Sequence, residues 1–163
     1  MQDFRVGFGY DSHRLASGLP LILGGVQIPS AYGCIAHSDG DAVIHALCDA
    51  LFGAAGMADI GTHFPDNQAE YKGVDSTILL KKTLLLLQEA GWKVHNVDLT
   101  IVLEKPKLVD YKALMQKTLS SILGLSLERV AVKAKSNEKM GLVGKGEGVV
   151  VWAVATIIRE NES

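Results

Sequence analysis

Two short stretches, Asp11-Ser12-His13 and His37-Ser38-Asp39-Gly40-Asp41-Ala42-Val43-Ile44-His45, gather imidazoles and carboxylates at spacings that suit one metal ion. Asp11 and His13 lie two residues apart, so on a strand both side chains leave the same face, about 6 to 7 Å apart along the chain. His45 adds a third ligand from a helix on which Asp41, His45 and Asp49 fall at i, i+4 and i+8 along one face. A carboxylate beside His45 would orient its second ring nitrogen, as metal-bound histidines generally require. Two histidines and one carboxylate leave a fourth position open, which is the ligand set of a working zinc site rather than a structural one. A phosphate oxygen or a water would complete the tetrahedron. Any one of these residues alone reads more readily as a cap, a surface group or a satisfied core residue; taken jointly, they favour the metal.

A second constellation runs from Lys133 to Gly148 and combines lysines, small hydroxyls, carboxylates and four glycines. Glycines let backbone amides approach an anion and lysines neutralise it, so the loop can embrace a polyphosphate. Glu138 suits an oxygen-preferring ion such as Mg²⁺ bridging two phosphates. A flexible charged hairpin is the competing description of this loop.

The elements that must position these groups follow from periodicity. Arg5 to Tyr10 alternates Val6, Phe8 and Tyr10 with Arg5, Gly7 and Gly9, which predicts a strand with one packed and one nearly bare face, the glycines leaving room for a ligand. Pro20 to Ile28 reads as two short strands bent at Gly24-Gly25. Asp39 is expected to cap a helix from Ala42 to about Ala55 with Val43, Leu47, Ala50, Leu51 and Ala54 as its apolar stripe. Asp59 to Asp66 carries turn formers and reads as an ordered loop. A second helix fits Ser76 to Ala90, capped by Asp75 or Ser76, with Leu84 to Leu87 turned to core on much of its circumference. A strand at Val97 to Leu103, a third helix from Pro106 to Leu123 and a strand at Arg129 to Lys135 make a β-α-β unit.

Val149 to Ile158 is apolar almost without interruption, which a strand tolerates only with both faces covered. A buried helix is the alternative, but the β-branched content favours strand. With three helices for one face, the other calls for a second subunit, and a symmetric homo-oligomer with inward-facing sheets is expected. The predicted fold class is thus α+β, a two-layer α/β sandwich with a mixed sheet of about four main strands and three helices on one face.

The chain has 163 residues, which suits a single catalytic domain over 1–163. Lys and Arg number 16 against 18 Asp and Glu, a formal charge of −2, which argues against a general nucleic-acid binder. Cys34 and Cys48 supply no disulfide scaffold and are expected to be reduced. No apolar run approaches the roughly 18 residues of a spanning helix, and Met1-Gln2-Asp3-Phe4-Arg5 lacks a signal-peptide pattern. A cytoplasmic protein without a membrane partner is expected.

Asp11-Ser12-His13, Ala36-His37-Ser38-Asp39-Gly40-Asp41 with His45, Asp59-Ile60-Gly61, Phe64-Pro65-Asp66 and Gly144-Lys145-Gly146-Glu147-Gly148 resemble the 2-C-methyl-D-erythritol 2,4-cyclodiphosphate synthase family of the non-mevalonate isoprenoid pathway. The resemblance spans nearly the whole chain, and its Ser-Asp-Gly-Asp-x-x-x-His element is its most specific part. It implies a phosphorus-oxygen lyase that cyclises 4-diphosphocytidyl-2-C-methyl-D-erythritol 2-phosphate, releases CMP, and works as a homotrimer with active sites between subunits. It also implies zinc, or another divalent metal, on Asp11, His13 and His45, Mg²⁺ or Mn²⁺ on Glu138, and transition-state contacts from His37 and Ser136.

By the same resemblance, Asp59 and Gly61 would meet the ribose, and Ser38, Phe64 and Asp66 the methylerythritol phosphate. The segment from Leu103 to Val109, with Pro106, Lys107 and Leu108, would enclose cytosine. Ile60, Pro65, Ala134, Lys135, Asn137, Leu142 and Lys145 complete the implied substrate contacts. The family often has Arg where Lys145 stands, Phe where Leu142 stands, and threonines where Lys135-Ser136-Asn137 precede Glu138. Lys145 keeps the charge but loses the bidentate fork of Arg.

Two rival functions use the same residues. A zinc hydrolase could activate water on these ligands, although the sequence has no His-Glu-x-x-His element and no obvious dedicated base. A nonenzymatic metal- or nucleotide-binding assembly module would make the cluster structural.

Overall fold

The computed structural model of the chain describes residues 3–159. β1 (Asp3–Ser17) leads to the hairpin of β2 (Leu21–Leu23) and β3 (Val26–Ile28), the short β4 (Tyr32–Cys34) and the long α1 (Ala42–Ala55). A single turn, α2 (Ile60–His63), precedes α3 (Ser76–Glu89), β5 (Lys93–Val102), α4 (Lys112–Leu123) and β6 (Val130–Lys135). A second single turn, α5 (Gly141–Gly144), then enters β7 (Gly148–Arg159). The main sheet has five strands in the order β4-β1-β7-β5-β6, with β5 and β6 parallel and the remaining pairs antiparallel. The fold is mixed α/β, with the expected β-α-β unit at β5-α4-β6.

Glycine decides how the main helix meets the sheet. A Cβ at Gly9 would lie 1.8 Å from the Ala46 carbonyl oxygen, and one at Gly7 would lie 1.9 Å from that of Ala50. The backbone of α1 therefore rests directly on β1, a close approach that any side chain would prevent. This reverses the expected polarity of β1: its glycine face is covered, while Val6, Phe8 and Tyr10 are 58%, 62% and 50% exposed. The glycines make room for a helix and not for a ligand. Period-two alternation tells which residues share a face, but not which face is buried.

The core fills the space between α1 and the sheet. Val43, Ile44, Leu47, Cys48, Leu51 and Phe52 are fully buried against the inward residues of β5 and β7, among them Leu99, Ile101, Val151 and Ala153. Thus α1 is apolar nearly all round, broader than the predicted stripe. On β7 the opposite face is only part-covered, with Trp152 and Val154 still accessible. In α3, Leu80 and Leu87 are buried but Leu85 is exposed, so the leucine run is less enclosed than predicted.

Three boundaries differ from the sequence expectation. The sheet has five strands and not four, because β4 adds an edge beyond β1. There are five helices among the described residues, since α2 and α5 are single turns too short for a periodic signal. α4 begins at Lys112 rather than near Pro106; the preceding segment is a loop closed by Tyr111 and Lys112 amides donating to the Leu108 carbonyl. No helix among the described residues is long and apolar enough to cross a membrane. Met1 and Gln2, on which the amino-terminal reading partly rests, lie outside the described residues.

Candidate metal centre

β1 carries Asp11 and His13 on the face that meets α1, and the first turn of α1 carries His45. Asp11 Oδ2 lies 2.8 Å from His13 Nε2 and 3.2 Å from His45 Nδ1, and the two nitrogens are 3.3 Å apart. A tetrahedral metal with ligands at about 2.0 to 2.1 Å requires ligand atoms about 3.3 Å from one another. Two of the three separations already match that spacing and the third, at 2.8 Å, is a hydrogen bond that an ion would open, so these groups form the metal-capable cluster found among the described residues. All three side chains are mostly buried, at 25%, 16% and 13% exposure.

The aim of each imidazole has a local cause. His13 Nδ1–H donates to the Ile35 carbonyl at 3.1 Å, which assigns the proton to Nδ1 and leaves Nε2 free to ligate. On His45 the outer nitrogen, Nε2, is 2.9 Å from Ser76 Oγ and 3.1 Å from Ser38 Oγ, leaving Nδ1 aimed at Asp11. Behind Ser76 stands Asp39, which accepts from the Ser76 hydroxyl and from its amide at 2.9 Å.

These contacts correct two sequence expectations. Asp41, not Asp39, caps α1: its carboxylate accepts from Val43 and Ile44 amides at 3.1 Å, and from Gly24 and Gly25 amides at 2.9 and 2.6 Å. Nor do Asp41 and Asp49 orient His45. Asp41 is turned into the hairpin, and Asp49 holds the Ile60 amide at 2.8 Å, fixing α2 beside the metal centre. Burial pushes the Asp41 carboxyl up to about 6, opposed by the Gly25, Ile44 and Gly24 amides.

In Asp11, burial alone would raise the pKa, but hydrogen bonds and charge attraction from His13 and His45 outweigh it and hold the carboxyl below its usual value. Burial would lower His13; its bond and charge interaction with Asp11 win and raise it. Asp11 and His13 thus favour each other's charged forms, and a divalent cation bound between them would take the place of the shared proton.

The ligand atoms open into a cleft of about 210 Å³ lined also by His37, Ser38, Ile60, Gly61, Phe64 and Asp66. His37 Nε2 is buried with no hydrogen-bond partner. Asp59 sits outside the lining and caps α2 through Thr62, while Pro65 is half-buried next to Phe64. Leu103, Lys107, Leu108, Val109, Ala134, Lys135 and Ser136 line a separate cleft of about 250 Å³, and Pro106 lines neither. Ser136 donates to Glu138 at 2.7 Å, and the Asn137 amide donates to Glu104 at 3.1 Å. Glu138 holds a positive φ of 50°. Leu142 and Lys145 line a third, wider cleft with Glu104 and Glu147. A single chain thus gathers Asp11, His13, His37, Ser38, His45 and the 60–66 segment, but not the 103–109 and 134–145 groups, into one site.

Sequence reasoning missed Ser76, Asp39 as its partner, and the anchoring role of Asp49. Asp75-Ser76 carried only a capping signal, and the contact with His45 spans 31 residues of chain.

The YgbB family matches residues 4–158. A 2-C-methyl-D-erythritol 2,4-cyclodiphosphate synthase of Brachyspira hyodysenteriae is 50% identical over 153 residues, covering 94% of this chain and 97% of that protein. The bifunctional IspDF of Campylobacter jejuni superposes with a TM-score of 0.94 at 37% identity over 99% of this chain, which spans only 44% of that larger protein. A 2C-methyl-D-erythritol-2,4-cyclodiphosphate synthase solved in its CDP-bound form gives 0.87 at 39% identity, covering 94% and 99% of the two chains. Together with the preformed Asp11, His13 and His45 cluster, these matches place the chain in the YgbB family of 2-C-methyl-D-erythritol 2,4-cyclodiphosphate synthases.

Proposed function

We propose that this chain cyclises 4-diphosphocytidyl-2-C-methyl-D-erythritol 2-phosphate to 2-C-methyl-D-erythritol 2,4-cyclodiphosphate and CMP. The observation that carries this reading is the convergence of Asp11, His13 and His45 at the mouth of a cleft holding His37 and Ser38, in a chain of this family. The substrate's 2-phosphate is already largely dianionic at neutral pH, its second pKa being about 6, so no general base is needed. One of its oxygens bonds to the β-phosphorus while the bond from β-phosphorus to the bridging oxygen breaks, and CMP leaves with that electron pair.

The protein's task is to align the attacking oxygen and to stabilise charge on the transferred group. Asp11, His13 and His45 would hold zinc and Glu138 would hold Mg²⁺ or Mn²⁺. When bound, such ions supply positive charge to the phosphate oxygens. His37, with its unpaired Nε2, would donate to those oxygens, and Ser136 would do so by turning its hydroxyl from Glu138 once that carboxylate holds an ion. Ser38, Phe64, Pro65 and Asp66 would seat the methylerythritol phosphate, and Asp59, Ile60 and Gly61 the ribose. Leu103, Pro106, Lys107, Leu108 and Val109 would enclose cytosine, with Ala134, Lys135, Asn137, Leu142 and Lys145 nearby. The CDP-bound relative supports a cytidine nucleotide as ligand.

A homotrimer fits the same observations. Phe4, Val6, Phe8 and Tyr10 pair across the β1/β7 register with Ile158, Thr156, Val154 and Trp152, so the uncovered sheet face is a continuous, largely apolar surface. Such a surface favours burial against other subunits. The metal cleft and the 103–136 cleft are separate within one chain, and apposition of neighbouring subunits would join them into one active site. A single catalytic domain over 1–163, acting in the cytoplasm without nucleic acid or membrane, completes the proposal. Incubation with the substrate tests it: CMP and cyclic diphosphate should appear in equal amounts. Release of inorganic phosphate instead would identify a hydrolase, and no turnover would leave a binding module.

A further inference from the structure

We infer that Ser76 and Asp39 form a serial hydrogen-bond relay that fixes the tautomer and aim of His45, making them positioning residues for the metal centre. The inference rests on the proposal that Asp11, His13 and His45 hold a divalent metal. Ser76 is the first residue of α3, fully buried, with its Oγ 2.9 Å from His45 Nε2. Its hydroxyl has one proton, and that proton goes to Asp39. Ser76 Oγ can therefore only accept from His45, which holds the imidazole proton on Nε2 and favours the tautomer whose Nδ1 lone pair can ligate a metal, against the pull of the Asp11 carboxylate 3.2 Å from Nδ1.

Asp39 is itself held by the Ser76 amide at 2.9 Å and the Asp41 amide at 3.1 Å, so its carboxylate cannot swing away from the hydroxyl it orients. The backbone ties the same parts together: the Asp39 amide donates to the Val74 carbonyl at 3.1 Å, and the Gly73 amide to the His37 carbonyl at 2.8 Å. The relay thereby links the start of α3, the loop bearing His37 and Ser38, and a metal ligand. Ser38 Oγ, at 3.1 Å from the same nitrogen, is a weaker acceptor because nothing comparable dictates where its own proton points.

Zinc affinity of the full-length protein, measured by chelator competition, tests the relay. Ser76→Ala keeps the α3 amide bonded to Asp39 and should weaken zinc about 10- to 100-fold, the usual effect of losing an outer-shell partner of a ligating imidazole. Asp39→Asn should weaken it similarly, and the double variant no further than the worse single one, since the two act in series. Ser76→Thr, which retains the hydroxyl, should restore most of the affinity. In metal-free protein, nitrogen-15 shifts of His45 should show a larger share of Nε2–H in wild type than in Ser76→Ala, where Asp11 draws the proton to Nδ1, a change that a purely structural serine would not produce. Unchanged affinity and tautomer in folded Ser76→Ala would overturn the relay, as would losses that multiply in the double variant. Absence of zinc binding by the wild type would instead refute the metal site itself.

Discussion

Gly9→Ala should damage the candidate metal centre although residue 9 is not itself one of its ligands. The added Cβ would lie 1.8 Å from the Ala46 carbonyl oxygen, and an ordinary contact begins at 3.4 Å, so α1 and β1 must separate by 1.6 Å at that point. The obstructing atom is helix backbone, which cannot rotate aside. Overpacking of this kind costs about 1 to 3 kcal/mol, and a rigid neighbour places Gly9→Ala at about 3 kcal/mol or above. Ala46 follows His45 directly, so the same separation draws His45 away from Asp11 and His13. Metal sites tolerate about 0.2 Å in ligand distance, so a shift of this size should weaken zinc by about 100-fold or more. Urea unfolding of metal-free protein and zinc competition on the folded fraction measure the two effects separately. A variant with wild-type unfolding midpoint and wild-type zinc affinity would refute the close helix-strand contact as the device that sets the site.

Acid titration of the metal-free protein separates the Asp11 and His13 contributions. Asp11, held low, contributes stability present above 3.8 and lost as pH falls through its folded value. His13, held high, contributes stability present below 6.5 and lost as pH rises through its folded value. The gap in Tm between wild type and His13→Gln should therefore narrow as pH rises past 6.5, and a widening gap would contradict the pairing. If the proposed homotrimer forms through the exposed sheet face, wild type should sediment as three chains and Phe8→Glu, at a position 62% exposed in the single chain, as one folded chain; a wild-type monomer, or a trimer that persists in the variant, would count against that interface. Cys34 and Cys48, whose thiols burial pushes up to about 12, should resist iodoacetamide in native protein at pH 8 and react on unfolding. Rapid native labelling would contradict their burial.

Much of this arrangement was legible in the sequence because it is local. The period of 3.6 identifies α1, the Asp75-Ser76 and Gly91 signals bound α3, Gly124 marks the end of α4, and the β5-α4-β6 unit follows from their order. Asp11-x-His13 with His45 is visible because strand spacing puts Asp11 and His13 on one shared face and the helix pattern sets His45 off its apolar stripe. What was hidden depends on contacts between distant segments. Nothing in Arg5 to Tyr10 tells that a helix covers the glycine side. Asp39 looked like a cap because it precedes the helix, whereas Asp41 takes that role and Asp39 reaches 37 residues forward to Ser76. The loop from Pro106 resembled helix because its residues do not forbid one, and only the turn at Leu108 shows where α4 begins.

Stepwise addition of zinc to metal-free protein, with CMP release recorded at each addition in the presence of Mg²⁺, bears most directly on whether Asp11, His13 and His45 hold the ion that the reaction needs. The rate should rise linearly and break at one equivalent per chain, and His45→Ala should remain folded and inactive throughout. Full turnover before any zinc is added, or an active His45→Ala, would contradict the account.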